Sequence, residues 1–185
     1  MPTRRTYLQT VAGTAAIGST ALAGCTGGKS TGTLATRVSD QPGDISDFES
    51  CVVTIAGVWV KPADGELVKR EIEPTEADLT ELQGERSSLV AEEEFETGTY
   101  EFLQLRISET RGTLTSGEEV DVAVPGDAPL KFEKEFEIRE NQRTTFTADF
   151  TPVRAGGSGR YLLQPVADEV TVSYEGGTAT TTGGG

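Results

Sequence analysis

The amino-acid sequence predicts an all-β protein built as a single antiparallel β-sandwich with flexible termini. Three observations predict it. Short stretches of alternating apolar and polar residues recur along the chain, Leu130–Ile138 (LKFEKEFEI) being a clear case, and period two marks a strand with one buried face. Clusters of Gly, Pro and Asp, such as Lys61-Pro62-Ala63-Asp64-Gly65, separate them with the chemistry of turns. No long stretch carries the 3.6-residue apolar period of an amphipathic helix, and no repeat of 20–50 residues is visible. Eight or nine strands of this kind make an antiparallel sandwich of two packed layers.

In chain order, Leu34–Val38 alternates and is the first strand, and Ser39–Asp47 (SDQPGDISD) is a loop. Phe48–Val60 (FESCVVTIAGVWV) is the strongest strand signal. Strict alternation puts Cys51, Val53, Ile55, Gly57 and Trp59 on one face, and Val52, Thr54, Ala56, Val58 and Val60 on the other. A run apolar on both faces suits a central strand, and the single Trp is expected to pack in the core or at its rim. Leu67–Ile72 is its hairpin partner across the Lys61–Gly65 turn. Asp78–Leu82 reads as a short strand, Glu85–Val90 as a brief helical turn, and Ala91–Thr97, with four Glu, as a solvated loop. Glu101–Ser108, Glu119–Val124, Leu130–Ile138, Arg143–Phe150 and Arg160–Tyr174 supply the remaining strands, Lys134 being the one departure from alternation in its segment. The expected organisation is a signal segment over residues 1–24, a modified Cys25 with a short tether to residue 31, the sandwich over 32–175, and a Gly/Thr tail over 176–185.

The amino terminus carries an address. Arg4 and Arg5 precede a weakly apolar run from Tyr7 to Ala23, and no acid occurs before Asp40. A basic start, an apolar middle and small residues before a processing point make a secretory signal. The run is rich in Gly, Ala, Ser and Thr and falls short of the ~20 apolar residues of a permanent span. Thr3-Arg4-Arg5-Thr6-Tyr7-Leu8 resembles a twin-arginine export motif. Leu22-Ala23-Gly24-Cys25 resembles a lipobox, which implies cleavage between Gly24 and Cys25, lipid on the Cys25 thiol, and residence on the extracellular face of the cell membrane. Two acyl chains give stable anchoring, each buried methylene contributing ~0.8 kcal/mol.

Composition narrows the function classes. The chain has 30 acidic and 16 basic residues and no His. Loss of residues 1–24 removes Arg4 and Arg5 and no acid, leaving 14 basic side chains and a net charge of −16. Such a surface lacks the basic patch that nucleic acid requires. It also repels anionic headgroups, so lipid on Cys25 has to hold the protein at the membrane. Acids spread along the whole domain suit a high-salt solvent that screens their repulsion; the competing reading is an ordinary acidic surface or an acidic patch for a basic partner. With Cys25 modified, Cys51 is left alone and no intramolecular disulfide forms. Absence of His removes His-based triads and zinc sites, and no phosphate-binding glycine loop is present. Asp40, Asp44 and Asp47, three carboxylates on one loop, are the candidate metal ligands; calcium takes six to eight oxygens of this kind. The competing role for these Asp residues is local turn hydrogen bonding.

From Gly32 to Glu175 the chain resembles the domain of unknown function 4382 family, found in secreted lipoproteins of bacteria and haloarchaea. The resemblance lies in Leu34…Val38-Ser39-Asp40 with the Asp44…Asp47 loop, and in Val52–Ile55 with Val58-Trp59-Val60. It continues through Asp78-Leu79…Leu82, Gly98-Thr99-Tyr100…Leu103…Leu105…Ile107 and Gly159–Val166. These are packing and turn patterns, and the family is similar to transthyretin-like sandwiches, so the resemblance implies a transthyretin-like or immunoglobulin-like sandwich more than any activity. The expectation is a non-catalytic binding module whose partner is an envelope protein or glycan. The alternatives are a structural accessory subunit of a membrane or envelope complex and, more remotely, a carboxylate-based glycoside hydrolase.

Overall fold

The computed structural model describes residues 29–40, 42–126 and 129–176, without the side chains of Ser158, Ala167 and Asp168. Eleven strands follow one another: β1 (Thr31–Asp40), β2 (Phe48–Pro62), β3 (Val68–Asp78), β4 (Ser88–Glu96), β5 (Gly98–Leu114), β6 (Glu119–Val120), β7 (Val122–Ala123), β8 (Leu130–Phe132), β9 (Phe136–Ile138), β10 (Arg143–Arg154) and β11 (Tyr161–Glu175). Three single 3₁₀ turns, Asp44–Asp47, Leu79–Glu81 and Gly156–Ser158, are the helical structure among the described residues. One sheet has the order β4-β1-β10-β11-β7; the other runs β3-β2-β5-β6, with β8 and β9 also paired to β5. Most ladders are antiparallel, as the sequence predicts, but β1–β10 and β11–β7 run parallel. The chain changes sheet at Asp121, between β6 on β5 and β7 on β11.

Leu34 and Val38 from β1, Cys51, Val53 and Ile55 from β2, Leu103 and Leu105 from β5, Phe146 and Phe150 from β10, and Leu163 from β11 are fully enclosed between the sheets. Phe132, Phe136 and Ile138 close the side of this core, Phe132 meeting Phe150 edge-on at 5.4 Å and Phe136 meeting Phe146 at 5.2 Å. Each large apolar side chain enclosed this way stabilises the fold by ~1.5–3 kcal/mol.

Several elements depart from simple alternation, each for a local reason. The β2–β5 register slips around Ile55 and Gly57, and one extra residue turns the following side chains over. Val58 and Val60 therefore point inward and are fully buried, while Trp59 faces outward. The expected Leu130–Ile138 strand is two short ones: the chain lifts off β5 over Glu133–Glu135, leaving Lys134 outside and Leu130, Phe132, Phe136 and Ile138 inside. Ala91–Thr97 is mostly edge strand, with Phe95 inward and Glu92, Glu94 and Glu96 outward; outward charge on an edge discourages pairing with other chains. The Glu85–Val90 stretch runs into that strand and makes no helix. Asp78–Leu82 is a capped 3₁₀ turn, Asp78 accepting from the Thr80 amide.

The sandwich has two distinct poles. β1 begins at one pole beside the ends of β4 and β11 and the start of β10, as the Thr31–Glu96, Thr33–Arg143 and Arg143–Glu175 register positions require. The Ala63–Gly65 turn joins this pole through the Ala63 amide on the Thr99 carbonyl, 2.9 Å. The opposite pole carries the end of β1, both early 3₁₀ turns, the β5–β6 turn and the β10–β11 connection. No helix among the described residues is long and apolar enough to cross a membrane.

Candidate functional site

The pole opposite the chain entry gathers the carboxylates. Parallel pairing of β1 with β10 sets Ser39 beside Asp149 and Asp40 beside Phe150. Ser39 Oγ donates to Asp149 Oδ1, and both residues are buried. With Thr147 they line a hollow of about 240 Å³, bounded also by Gly84–Ser87 and by Glu169 and Thr171 of β11. Arg37 holds the Gly84–Ser87 side in place, its Nε donating to Ser87 Oγ at 2.8 Å and its Nη2 to the Ser87 carbonyl at 2.6 Å.

Asp40 is 1% exposed, and neither carboxylate oxygen has a hydrogen-bond partner. Its amide donates to the Leu82 carbonyl at 3.3 Å, tying β1 to the second 3₁₀ turn. Burial, then the neighbouring Asp149 charge, pushes the Asp40 carboxyl up to about 7, because both effects penalise the ionised form. Asp40 is not among the residues lining the hollow.

Asp44 and Asp47 serve a different group. Asp44 Oδ2 accepts from the Arg154 amide at 2.6 Å. Asp47 Oδ2 accepts from Tyr161 Oη at 2.7 Å and from Arg154 Nη2 at 3.0 Å. Arg154 Nη2 also donates to Tyr161 Oη, 2.6 Å, and the Tyr161 ring packs edge-on against Phe48, 4.6 Å between centroids. Burial and then the Asp47 hydrogen bond raise the Tyr161 phenol above its ordinary value. This cluster locks the Asp44–Asp47 turn onto the end of β10.

The three candidate ligands are thus split, Asp44 and Asp47 on Arg154 and Tyr161, Asp40 apart with Asp149. Among the described residues no group of three or more His, Cys, Asp or Glu side chains is arranged to hold a metal ion. Cys51 is buried, with no disulfide partner among the described residues; burial, then the Asp78 and Asp40 charges, pushes its thiol up to about 12, far from a reactive thiolate. Arg4, Arg5, Gly24 and Cys25 lie outside the described residues. Sequence reasoning missed Ser39, Asp149, Arg154 and Tyr161 as parts of this pole. Asp149, the one acid of Arg143–Arg154 and flanked by the apolar Ala148 and Phe150, was the available signal.

Fold and pole together define a two-sheet β-sandwich with a carboxylate-rich end. The chain belongs to the family described as Domain of unknown function (DUF4382), whose match spans residues 31–165, from the first residue of β1 into β11. No curated protein matches the chain. No solved structure matches it either.

Proposed function

We propose that the chain is an exported lipoprotein, held on the extracellular face of the cell membrane by lipid on Cys25, whose sandwich is a non-catalytic binding module in a high-salt envelope. The observation that carries this is one of placement. The lipobox-like Leu22-Ala23-Gly24-Cys25 stands six residues ahead of β1, a reach of about 20 Å at ~3.5 Å per residue. Chain entry and exit share one pole, so an anchor at Cys25 turns the Ser39–Asp40 and Arg154–Tyr161 pole outward, toward envelope proteins and glycans. Cys25→Ser is the direct test: the variant is expected in the medium, and continued tight membrane association would overturn the anchoring.

A second reading, an accessory subunit of a membrane or envelope complex, is favoured by one feature. β7 pairs with β11 only at Tyr161 and Leu162, so from Leu163 onward no strand among the described residues is hydrogen-bonded to that edge in a ladder, although β8 lies close by. An open edge is a template for a permanent partner. Crosslinking in intact cells separates the two: a binding module is captured through its outward pole, an accessory subunit along β11.

A further inference from the structure

On the outer face of the β4-β1-β10-β11 sheet, toward the outward pole, the β10–β11 ladder opens into the hollow beside Asp149. Between the Thr147–Thr171 and Asp149–Val166 register positions β10 advances two residues and β11 five. The surplus makes β11 bow away over residues 167–170, and bulges of this kind are common beside functional sites. The bow leaves a hollow of about 240 Å³ with Glu169 on its rim. Val38, Ala148 and Phe150 are fully buried in the core, so alternation turns Ser39, Thr147 and Asp149 to the outer face. Ser39 and Asp149 are nonetheless 5% and 3% exposed, with the Gly84–Ser87 segment that Arg37 pins beside them.

The floor of the hollow is a small polar frame. Ser39 stands beside Asp149, and Thr147 beside Thr171. Neighbours across a ladder are ~4.8 Å apart and alternate residues along a strand ~6.8 Å apart. Four side chains bearing hydroxyl or carboxylate oxygens thus frame an area the size of one six-membered ring. The hydroxyls of Thr147 and Thr171 have no hydrogen-bond partner among the described residues, so each can both donate and accept. The wider hollow beside β2, β5 and β6, about 650 Å³, has no buried charged side chain in its lining. Asp149 sets the smaller one apart.

We infer that this hollow binds one neutral hexose unit of a glycan, an inference that rests on the binding-module reading above and names its ligand class. Every lining side chain is polar, so an acyl chain or an aromatic group would strand their oxygens away from water. Three carboxylates, Asp149, Glu85 and Glu169, line it with one guanidinium, Arg86, and an anion therefore meets net repulsion. An ammonium group donates to the carboxylates but has nothing to accept from Arg86 or from the threonine hydroxyls. A sugar ring carries hydroxyls on several sides, and each donates and accepts. Those hydroxyls can donate to the carboxylates and accept from Arg86, Thr147 and Thr171 at once. The two threonine methyls offer the ring carbons a small apolar contact. The hollow is smaller than the ~300–1,000 Å³ of pockets for drug-sized ligands, so one ring enters and the rest of the glycan leads away from the outward pole.

The full chain carrying Cys25→Ser is titrated with the methyl glycosides of glucose, galactose and mannose, and in parallel with methyl glucuronide and methyl glucosaminide, while backbone amide shifts are followed by NMR. The expected result is a saturable shift with at least one neutral hexoside, largest at Ser87, Thr147, Asp149 and Thr171. Thr147→Val and Thr171→Val keep the side-chain shape and remove one hydroxyl each. Each should weaken binding about fivefold, with circular dichroism unchanged; Thr171 is exposed, so its variant keeps the fold. No shift with any of the three hexosides, shifts centred elsewhere, undiminished affinity in the valine variants, or tighter binding of the glucuronide or glucosaminide than of every neutral hexoside overturns the inference. A null titration beside crosslinking at the outward pole overturns the ligand assignment and leaves the binding-module reading standing; crosslinks confined to the open edge of β11 overturn that reading instead.

Discussion

Asp40 and Asp78 sit at the same pole, both close enough to Cys51 to raise its thiol, yet their environments drive them in opposite directions. Burial acts on each to raise its carboxyl. At Asp78 four hydrogen bonds outweigh it: Oδ1 accepts from the Cys51 amide, the Thr80 amide and Thr80 Oγ1, and Oδ2 accepts from Ser50 Oγ at 2.7 Å. The result is a carboxyl held below its ordinary range. Asp40 has no such donors and a like charge beside it, so it rises to about 7. Depth alone does not fix the charge of a carboxyl in this sandwich; the supply of donors does.

The difference can be broken at either residue. Removing the donors' target should have the largest effect. Asp78→Ala strands Ser50 Oγ and the Cys51 amide and uncaps the 3₁₀ turn, an expected loss of about 4 kcal/mol by urea denaturation. A loss under ~1 kcal/mol would show that water replaces the carboxylate freely. Asp40→Asn acts with the opposite sign. Burial and the Asp149 charge push the folded Asp40 carboxyl up to about 7 from an ordinary 3.8. The folded chain therefore keeps a proton that the unfolded chain releases between these limits. The associated stability is fully present below about pH 4 and lost as pH rises to about 7. Asp40→Asn should be about 3 kcal/mol more stable than the parent at pH 8, with the gap closing toward pH 4. A gap that does not move with pH would mean that Asp40 is ionised throughout. The smallest effect is expected from Tyr161→Phe, which deletes the hydroxyl between Asp47 and Arg154 and leaves the ring on Phe48. A loss of about 1 kcal/mol in the melting transition is the expected outcome.

Much of the sandwich is legible in the sequence because its strands bury one face and its turns carry Gly, Pro and Asp. Phe48–Val60 is the central strand its double-sided apolar character implies, paired with β3 and β5. The same character hid the bulge: with apolar residues on both faces, no pattern marks where Trp59 leaves the face of Cys51 and Val53. In Leu130–Ile138 the lone Lys134 marked the break, since an inward lysine has no partner between the sheets. The glutamates of Ala91–Thr97 imitate a loop because edge strands favour outward charge, and Ala91 and Phe95 alone report the buried side. The candidate site was legible in composition and not in geometry. That Asp44 and Asp47 turn to Arg154 and Tyr161, some hundred positions away, follows from the parallel β1–β10 pairing, which joins distant segments without any local signature.

The position of β1 has a mechanical consequence. It lies between β4 and β10, with its first residue at the pole where the chain enters. At that entry the Ser30 and Thr31 carbonyls accept from Thr97 and Asn141, and the Thr33 amide reaches the Gln142 carbonyl at 3.0 Å. Tension applied ahead of Lys29 runs along the strand axis and across the hydrogen bonds on both sides. Two ladders then carry the load in shear together, and neither can be unzipped one bond at a time from that end.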